Sequence, residues 1–421
     1  MLKEVRVKNF KSFKNEILFS MEAGKKVSEL NSHIYDNNYG DKLLKVTSIY
    51  GPNAGGKTNL LRAINFLKYL QQYIEMINSP EEESLLFRRF NFERFISPFK
   101  FNSQNNTIEY SIFFLEDEYE LGYNISVDIN IIEKKSFILQ ENFVYRKLGE
   151  NEFFDLFNRN KTEIVSDNLI SEIGIEQFRL SDNMPFLFYL YTNFVHKNIE
   201  NSFYLSLIKR FMDQVNSIKF INGVDKMPQQ FLMRILKENE QLKHNIISIL
   251  QGLDISVDDI IFKPFNDREE MFFVHNISNS RCELSIYEES EGTLCLVNLL
   301  SRIVNLLDDG GILLCDELDS HLHPKLVTKI IELFTSQYNK KCQLIFNSHD
   351  IWNMNSENFR RDEIWFVYRD ENLVSEIVSL SDYITYDGNK VRKDAKYSKQ
   401  YMEGKFGADP FIMKGVLWDG K

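Results

Sequence analysis

The stretch Gly51-Pro52-Asn53-Ala54-Gly55-Gly56-Lys57-Thr58 constrains this chain more than any other. It satisfies G-x-x-x-x-G-K-[ST] without a mismatch, and its flanks supply the context the motif needs. Before it runs the apolar, β-branched segment Leu44-Lys45-Val46-Thr47-Ser48-Ile49-Tyr50, and after it Leu60, Leu61, Ile64, Leu67 and Leu70 recur at helical spacing. Strand, glycine loop and helix therefore follow one another. Glycines let the backbone curl until successive N–H groups point at phosphate oxygens, and a helix starting near Lys57 adds the positive end of its dipole. Lys57 is expected to reach the β- and γ-phosphates and Thr58 to hold Mg²⁺ through its hydroxyl. Gly51, Pro52, Asn53, Ala54, Gly55, Gly56, Lys57, Thr58 and Asn59 are thus the expected nucleotide-binding residues.

A second site of chemistry lies far along the chain. Gly311-Ile312-Leu313-Leu314-Cys315-Asp316-Glu317 is an apolar run ending in two acids, as in a buried parallel strand that delivers carboxylates to the rim of a sheet. Asp316 is placed to hold Mg²⁺ through its water shell, and Glu317, pointing elsewhere, to accept a proton from an attacking water. Upstream, Glu289-Ser290-Glu291-Gly292-Thr293 precedes the helical run Leu294, Leu296, Val297, Leu299 and Leu300. Ser290 and Gly292 can present a hydroxyl and an N–H at that helix start. Downstream come Leu318-Asp319-Ser320-His321-Leu322-His323-Pro324 and a short strand, Gln343-Leu344-Ile345-Phe346, that delivers Asn347-Ser348-His349-Asp350. His323 before Pro324 reads as a loop anchor rather than a zinc ligand, and His349 as a γ-phosphate sensor.

The rest of the chain places these motifs. Val5, Val7 and Ile17-Leu18-Phe19 suggest two strands around the turn Asn9–Phe13, and the polar stretch of about 22–42 reads as a loop. The helix after the glycine loop should run to about Tyr73, with Asn78-Ser79-Pro80 as its stop. From about 98 to 148 the pattern has period two, an antiparallel meander, and between about 197 and 250 it turns helical. No heptad is sustained long enough for a coiled-coil arm. The expected division is 1–160 as the N-terminal half of a head with the phosphate loop and the meander, 161–262 as a helical insertion, and 263–421 as the C-terminal half. At 421 residues with 43% hydrophobic and 26% charged, and lacking a long apolar run or a signal-like start, the chain is expected in the cytoplasm. Its net charge of -11 opposes a broad nucleic-acid-coating surface. Arg360-Arg361 and Lys25-Lys26 read as ion-paired or solvated, the aromatic residues Phe186, Phe188, Tyr189 and Tyr191 as core, and the four cysteines as reduced thiols.

Together these pieces resemble an ABC-type ATPase head, an α/β P-loop NTPase fold with a mixed sheet flanked by helices, an antiparallel β subdomain and a helical insertion. The resemblance makes Gly51–Thr58 the phosphate loop, Ser290–Thr293 the signature, Asp316 the metal residue, Glu317 the catalytic base, Leu318–Ser320 the D-loop and His349 the switch histidine. Val7-Lys8-Asn9-Phe10-Lys11-Ser12-Phe13 is similar to the opening of the RecF/SMC branch. Closer still is the prokaryotic AAA-family group related to OLD proteins, including abortive-infection ATPases of AbiLi type. That group resembles this chain in Glu289–Thr293, Leu322-His323-Pro324, Arg360–Phe366 and Tyr401–Pro410. Two departures matter: Glu291 stands at a glycine-like position of the signature, and only about seventy residues follow Asp350, too few for the Toprim nuclease of OLD proteins proper.

The resemblance implies ATP and Mg²⁺ as cofactors and two nucleotides sandwiched between two subunits, in a homodimer or higher even oligomer. It also implies a separately encoded effector, for AbiLi-type proteins a RloB-like, Toprim-related nuclease, with no membrane partner. Two other functions fit the motifs: a RecF/SMC-like DNA-maintenance ATPase, and a scaffold that ATP cements with little turnover.

Overall fold

Alternation of Val5 and Val7 with Glu4, Arg6 and Lys8 gives the first strand, β1 (Leu2–Lys8), one buried and one outer face. The computed structural model describes residues 1–407 except 38, 79–91, 102–104, 131–132, 134, 166–168, 170, 173–179, 196–201, 224–226, 266–267, 278–279, 340 and 385–387. β2 (Ile17–Ser20) pairs antiparallel with β1 beyond a turn in which Phe10 bridges Phe13. The polar stretch expected as a loop holds a short hairpin, β3 (Ile34–Asp36) and β4 (Lys42–Leu44), because backbone pairing organises it without an apolar pattern. β5 (Val46–Tyr50) is buried throughout, and the glycine loop leads from it into α1 (Lys57–Ile64). Asn65 leaves helical geometry, so the helix read as continuous is two, with α2 (Phe66–Asn78) following the break. Ser79 and Pro80, read as its stop, lie outside the described residues, as does 408–421 with the end of the Tyr401–Pro410 motif.

The period-two region forms β6 (Thr107–Glu116), β7 (Tyr119–Asn130), β8 (Lys135–Lys147), β9 (Phe154–Asn160) and β10 (Glu163–Val165). They join β1 and β2 in a seven-stranded antiparallel sheet of order β10-β9-β8-β7-β6-β1-β2. Helices α3 (Phe186–Asn193) and α4 (Phe203–Ser217) follow, with Phe186 and Phe188 buried. Phe211 of α4 packs edge-on against Phe114 and Phe143 of the sheet.

The stretch 161–262, expected to be helical, differs in one respect that matters for the site. Directly after α4 the chain forms β11 (Ile218–Asn222), which pairs parallel with the strand carrying Asp316. Five residues with no turn signal before them do not announce a strand. Beyond it come α5 (Gln229–Glu238) and α6 (Glu240–Gly252), then a three-stranded antiparallel sheet of β12 (Asp259–Phe265), β13 (Arg268–Ile277) and β14 (Ser280–Ser285).

The remaining elements are α7 (Glu291–Asp309), β15 (Gly311–Asp316), α8 (Pro324–Thr335), β16 (Cys342–Asn347), β17 (Ile364–Arg369), β18 (Ser375–Ser379) and α9 (Tyr397–Met402). The central sheet has the order β11-β15-β16-β5-β17-β18, and all neighbours are parallel except the β17–β18 pair. Both its faces are covered. Ile312 and Leu314 enter the core shared with the antiparallel sheet, whereas Leu313 and Cys315 enter a second core under α7 and α8. That double burial is why β15 reads as an unbroken apolar run. The result is the α/β head with an antiparallel subdomain implied by the motifs.

Candidate nucleotide site

The loop after β5 is shaped by its neighbours as well as by its glycines. Gly51 has φ +151°, and a Cβ there would lie 2.0 Å from the carbonyl oxygen of Val367 in β17. Gly56, at φ +120°, leaves no room either, because a Cβ would come within 2.6 Å of Ser375 Oγ. Ser375 donates its hydroxyl to Gly55 O at 2.6 Å, and Ser12 Oγ accepts from Asn59 Nδ2 at 2.9 Å. Two serines distant in sequence therefore brace the loop. Lys57 Nζ folds over its mouth, donating to Gly51 O at 2.8 Å and Pro52 O at 3.1 Å. Burial pulls the Lys57 ammonium below its ordinary value, against the opposing pull of Asp316, Glu317 and Asp319.

β15 and β16 lie side by side, and their C-terminal ends meet α1. Asp316 Oδ1 accepts from Thr58 Oγ1 at 2.9 Å and from Asn347 Nδ2. The other end of the same amide, Asn347 Oδ1, accepts the backbone N–H of Glu317 at 2.5 Å. Asn347 is thus a fully buried side chain joining both acids of the strand end. Glu317 itself has φ +59°, in the left-handed region, which rotates its side chain out of the strand's alternation. On the other flank Asn222 stands opposite Asp316 in register, and Gly223 N donates to Asp316 O at 2.7 Å.

Asp319 ties the following loop to the end of β16, since its Oδ2 accepts from the N–H of His349 at 3.1 Å and of Asp350 at 3.0 Å. His349 is exposed. Ser290 caps α7, its hydroxyl accepting from Thr293 N at 3.1 Å, and Gly292 faces the His321 carbonyl, 3.6 Å from where a Cβ would sit. Among the described residues no hydrogen bond joins Ser290 or Gly292 to the phosphate loop.

The expected residues therefore fall into two groups. Gly51–Asn59, Asp316, Glu317 and the His349 backbone converge, while Ser290 and Gly292 stand apart at a helix start. Sequence reasoning placed Asp319 only within the D-loop and assigned no role to Asn347, Asn222, Gly223, Ser12 or Ser375. Only Asn347 carried a usable signal, a polar residue directly after an apolar strand.

Other readings are resolved by contacts. His323 caps α8 through Nδ1, which accepts from Lys325 N at 3.3 Å. Arg360 is wholly buried, paired with Asp362 and donating to the carbonyls of Val27 and Glu29, and Arg361 reaches Glu29 at 3.0 Å. Both are ion-paired, and Arg360 has no surface on which DNA could rest.

The residues fit the groups the motif implies. Gly51, Gly55 and Gly56 let the loop curl tightly against β17 and Ser375, as a phosphate-binding turn requires, and a hydroxyl and a carboxylate oxygen converge at one point, the hard donors that Mg²⁺ takes. Fold and site together define a P-loop ATPase-type domain. Residues 46–351, more than half of the chain, match the family described as "AAA domain, putative AbiEii toxin, Type IV TA system", and the chain belongs to that family. No curated protein matches it. Among solved structures it is similar to the SMC head domain from Thermotoga maritima, at 16% identity and a TM-score of 0.39, covering 90% of this chain and 98% of that one. It is also similar to an SMC head domain with an extended coiled coil from Pyrococcus furiosus, bound to the C-terminal domain of ScpA. There the identity is 16% and the TM-score 0.42, over 90% of this chain and 96% of that one.

Proposed function

We propose that the protein is an ATP-hydrolysing switch of an anti-phage, abortive-infection system, closing as a pair of copies around ATP and controlling a separately encoded effector. The observation that carries the reading is the hydrogen-bonded chain Thr58–Asp316–Asn347–Glu317, which fastens the phosphate loop to the two acids at the end of β15 through an amide at the end of the neighbouring β16. The family to which the chain belongs is described as part of a toxin system, which supports the defence setting. The finer assignment is an OLD-like, AbiLi-type ATPase working beside a RloB-like effector in the cytoplasm. A net charge of -11 and the burial of Arg360 favour a protein partner over duplex DNA.

In this reading the loop N–H groups and Lys57 hold the phosphates. Thr58 and Asp316 would hold Mg²⁺, which when bound offsets charge on the phosphate oxygens. Glu317, its backbone pinned by Asn347, accepts a proton from the attacking water, and His349 approaches the same phosphate from the end of β16. Ser290 and Gly292, remote from their own loop's hydrogen bonds, serve the nucleotide of a second copy. Hydrolysis then releases the pair.

Two variants test it together. Glu317→Gln should retain ATP and lose about 10²- to 10⁴-fold in phosphate release. Lys57→Ala should weaken ATP binding measured by calorimetry. Unchanged turnover in the first removes Glu317 from the base role, and unchanged affinity in the second removes the phosphate-loop assignment.

A further inference from the structure

One end of the seven-stranded sheet carries aromatic rings that the nucleotide site does not use. Tyr145 of β8 stands 5.8 Å, centroid to centroid, from Phe154 of β9, 5.8 Å from Phe203 of α4 and 6.3 Å from Tyr204. Tyr119 of β7 closes the group, 5.9 Å from Phe203. The rings are not sealed from solvent, since Phe154 is 50% exposed and Phe203 41%. Contiguous exposed rings of this kind mark a surface that another molecule covers.

The rim of this patch is acidic. Glu150 and Glu152 are exposed in the β8–β9 turn beside Phe154, and Glu172 accepts the Phe203 N–H at 2.7 Å. The cations beside it are paired: Lys147, opposite Tyr119, with Glu118 at 3.1 Å, and Arg146 with Glu120 while it also donates to the Glu150 carbonyl at 3.2 Å. Phosphate backbones are repelled by such a rim. A symmetric contact with a second copy would set the same acids against each other. The remaining occupant is a protein segment with apolar anchors flanked by lysine or arginine.

The patch also has a direct route to the site. Phe203 and Tyr204 begin α4, a helix of roughly 22 Å at 1.5 Å per residue, which passes without a loop into β11. β11 ends at Asn222 opposite Asp316, and Gly223 N holds the Asp316 carbonyl at 2.7 Å. One stiff rod, packed on the sheet through Phe211, thus runs from the exposed rings to the metal-site carboxylate.

We propose that this aromatic face docks a separately folded protein partner through a basic, apolar-anchored segment, and that α4 and β11 relay its binding to Asp316. The proposal rests on the switch reading above, and it names where the partner sits.

The test uses the full chain and a synthetic peptide in which tryptophan and leucine anchors alternate with lysines, beside a counterpart with glutamates. The variants are the pair Phe154→Ser with Phe203→Ser, and the pair Glu150→Lys with Glu152→Lys, all exposed and outside the nucleotide machinery. By fluorescence anisotropy, wild type should bind the lysine peptide at least about tenfold more tightly than either variant does, and more tightly than it binds the glutamate peptide. The peptide should also alter hydrogen exchange in 203–222 and change phosphate release by about twofold or more in wild type only, basal release being equal in all three proteins.

Equal peptide binding by the variants overturns the proposal. So does competition by duplex DNA for the same rings, or loss of self-association in the Phe154→Ser, Phe203→Ser protein. Absence of basal phosphate release in wild type counts instead against the switch, because the peptide-binding and exchange measurements still report on the surface.

Discussion

At the residue scale the site depends on one amide. Asn347 donates to Asp316 and accepts from Glu317 N, so Asn347→Ala leaves two buried polar groups without that partner. A loss of about 1–3 kcal/mol in positioning lowers turnover roughly 5- to 150-fold. Phosphate release should fall by that factor while ATP affinity by calorimetry stays within about threefold; full turnover would show that the amide only fills space. Lys11 supplies a pH dependence. Burial, helped by Arg62 and Lys100, lowers its ammonium from 10.5 to about 7. Between those values the unfolded chain binds more protons than the folded one, so this group's contribution to stability rises with pH across that window. The advantage of Lys11→Met over wild type in urea midpoint should therefore shrink from about pH 7 to about pH 9.5. A difference that stays constant would place the Lys11 ammonium in a wetter site.

At the element scale one buried carboxylate ties helix to sheet. Glu141 of β8 accepts the N–H groups of Phe186 and Leu187 at the start of α3, both at 2.8 Å, and the Tyr123 hydroxyl at 2.9 Å. Arg159 lies 3.4 Å away and is also buried. Burial raises the carboxyl's pKa, and those same donors pull it back. Glu141→Ala strands a guanidinium and the first N–H groups of α3, and should cost about 3–5 kcal/mol in urea unfolding. A loss below about 1 kcal/mol would mean that Arg159 finds other acceptors. Neither partner was legible, because a glutamate and an arginine in period-two strands look alike whether they face solvent or core. The meander itself was legible, since Tyr123, Ile125 and Val127 alternate with Asn124, Ser126 and Asp128. β11 was not, because a five-residue strand flush against a long helix has no punctuation of its own.

At the scale of the whole molecule the prediction concerns copies. Ser290 and Gly292 lie at an exposed helix start, and in the proposed reading they meet the nucleotide held by the Lys57 of another copy. Glu317→Gln with ATP should run at twice the protomer mass by light scattering, and adding Ser290→Arg should return it to one. A single mass in all states would dissolve the sandwich while leaving the phosphate loop intact.

By itself the sequence determined which residues could touch phosphate. The glycine loop, the acids closing an apolar run and the serine before a helix are local devices, and local backbone geometry and periodicity write them at fixed spacings. Tertiary structure alone decided what holds those residues in place: Asn347 between two acids, Ser12 and Ser375 against the loop, and α4 leading through β11 to Asp316. These depend on the order β11-β15-β16-β5-β17-β18. In a parallel sheet, neighbours come from segments far apart in the chain, and no spacing in the sequence records which strand lies beside which.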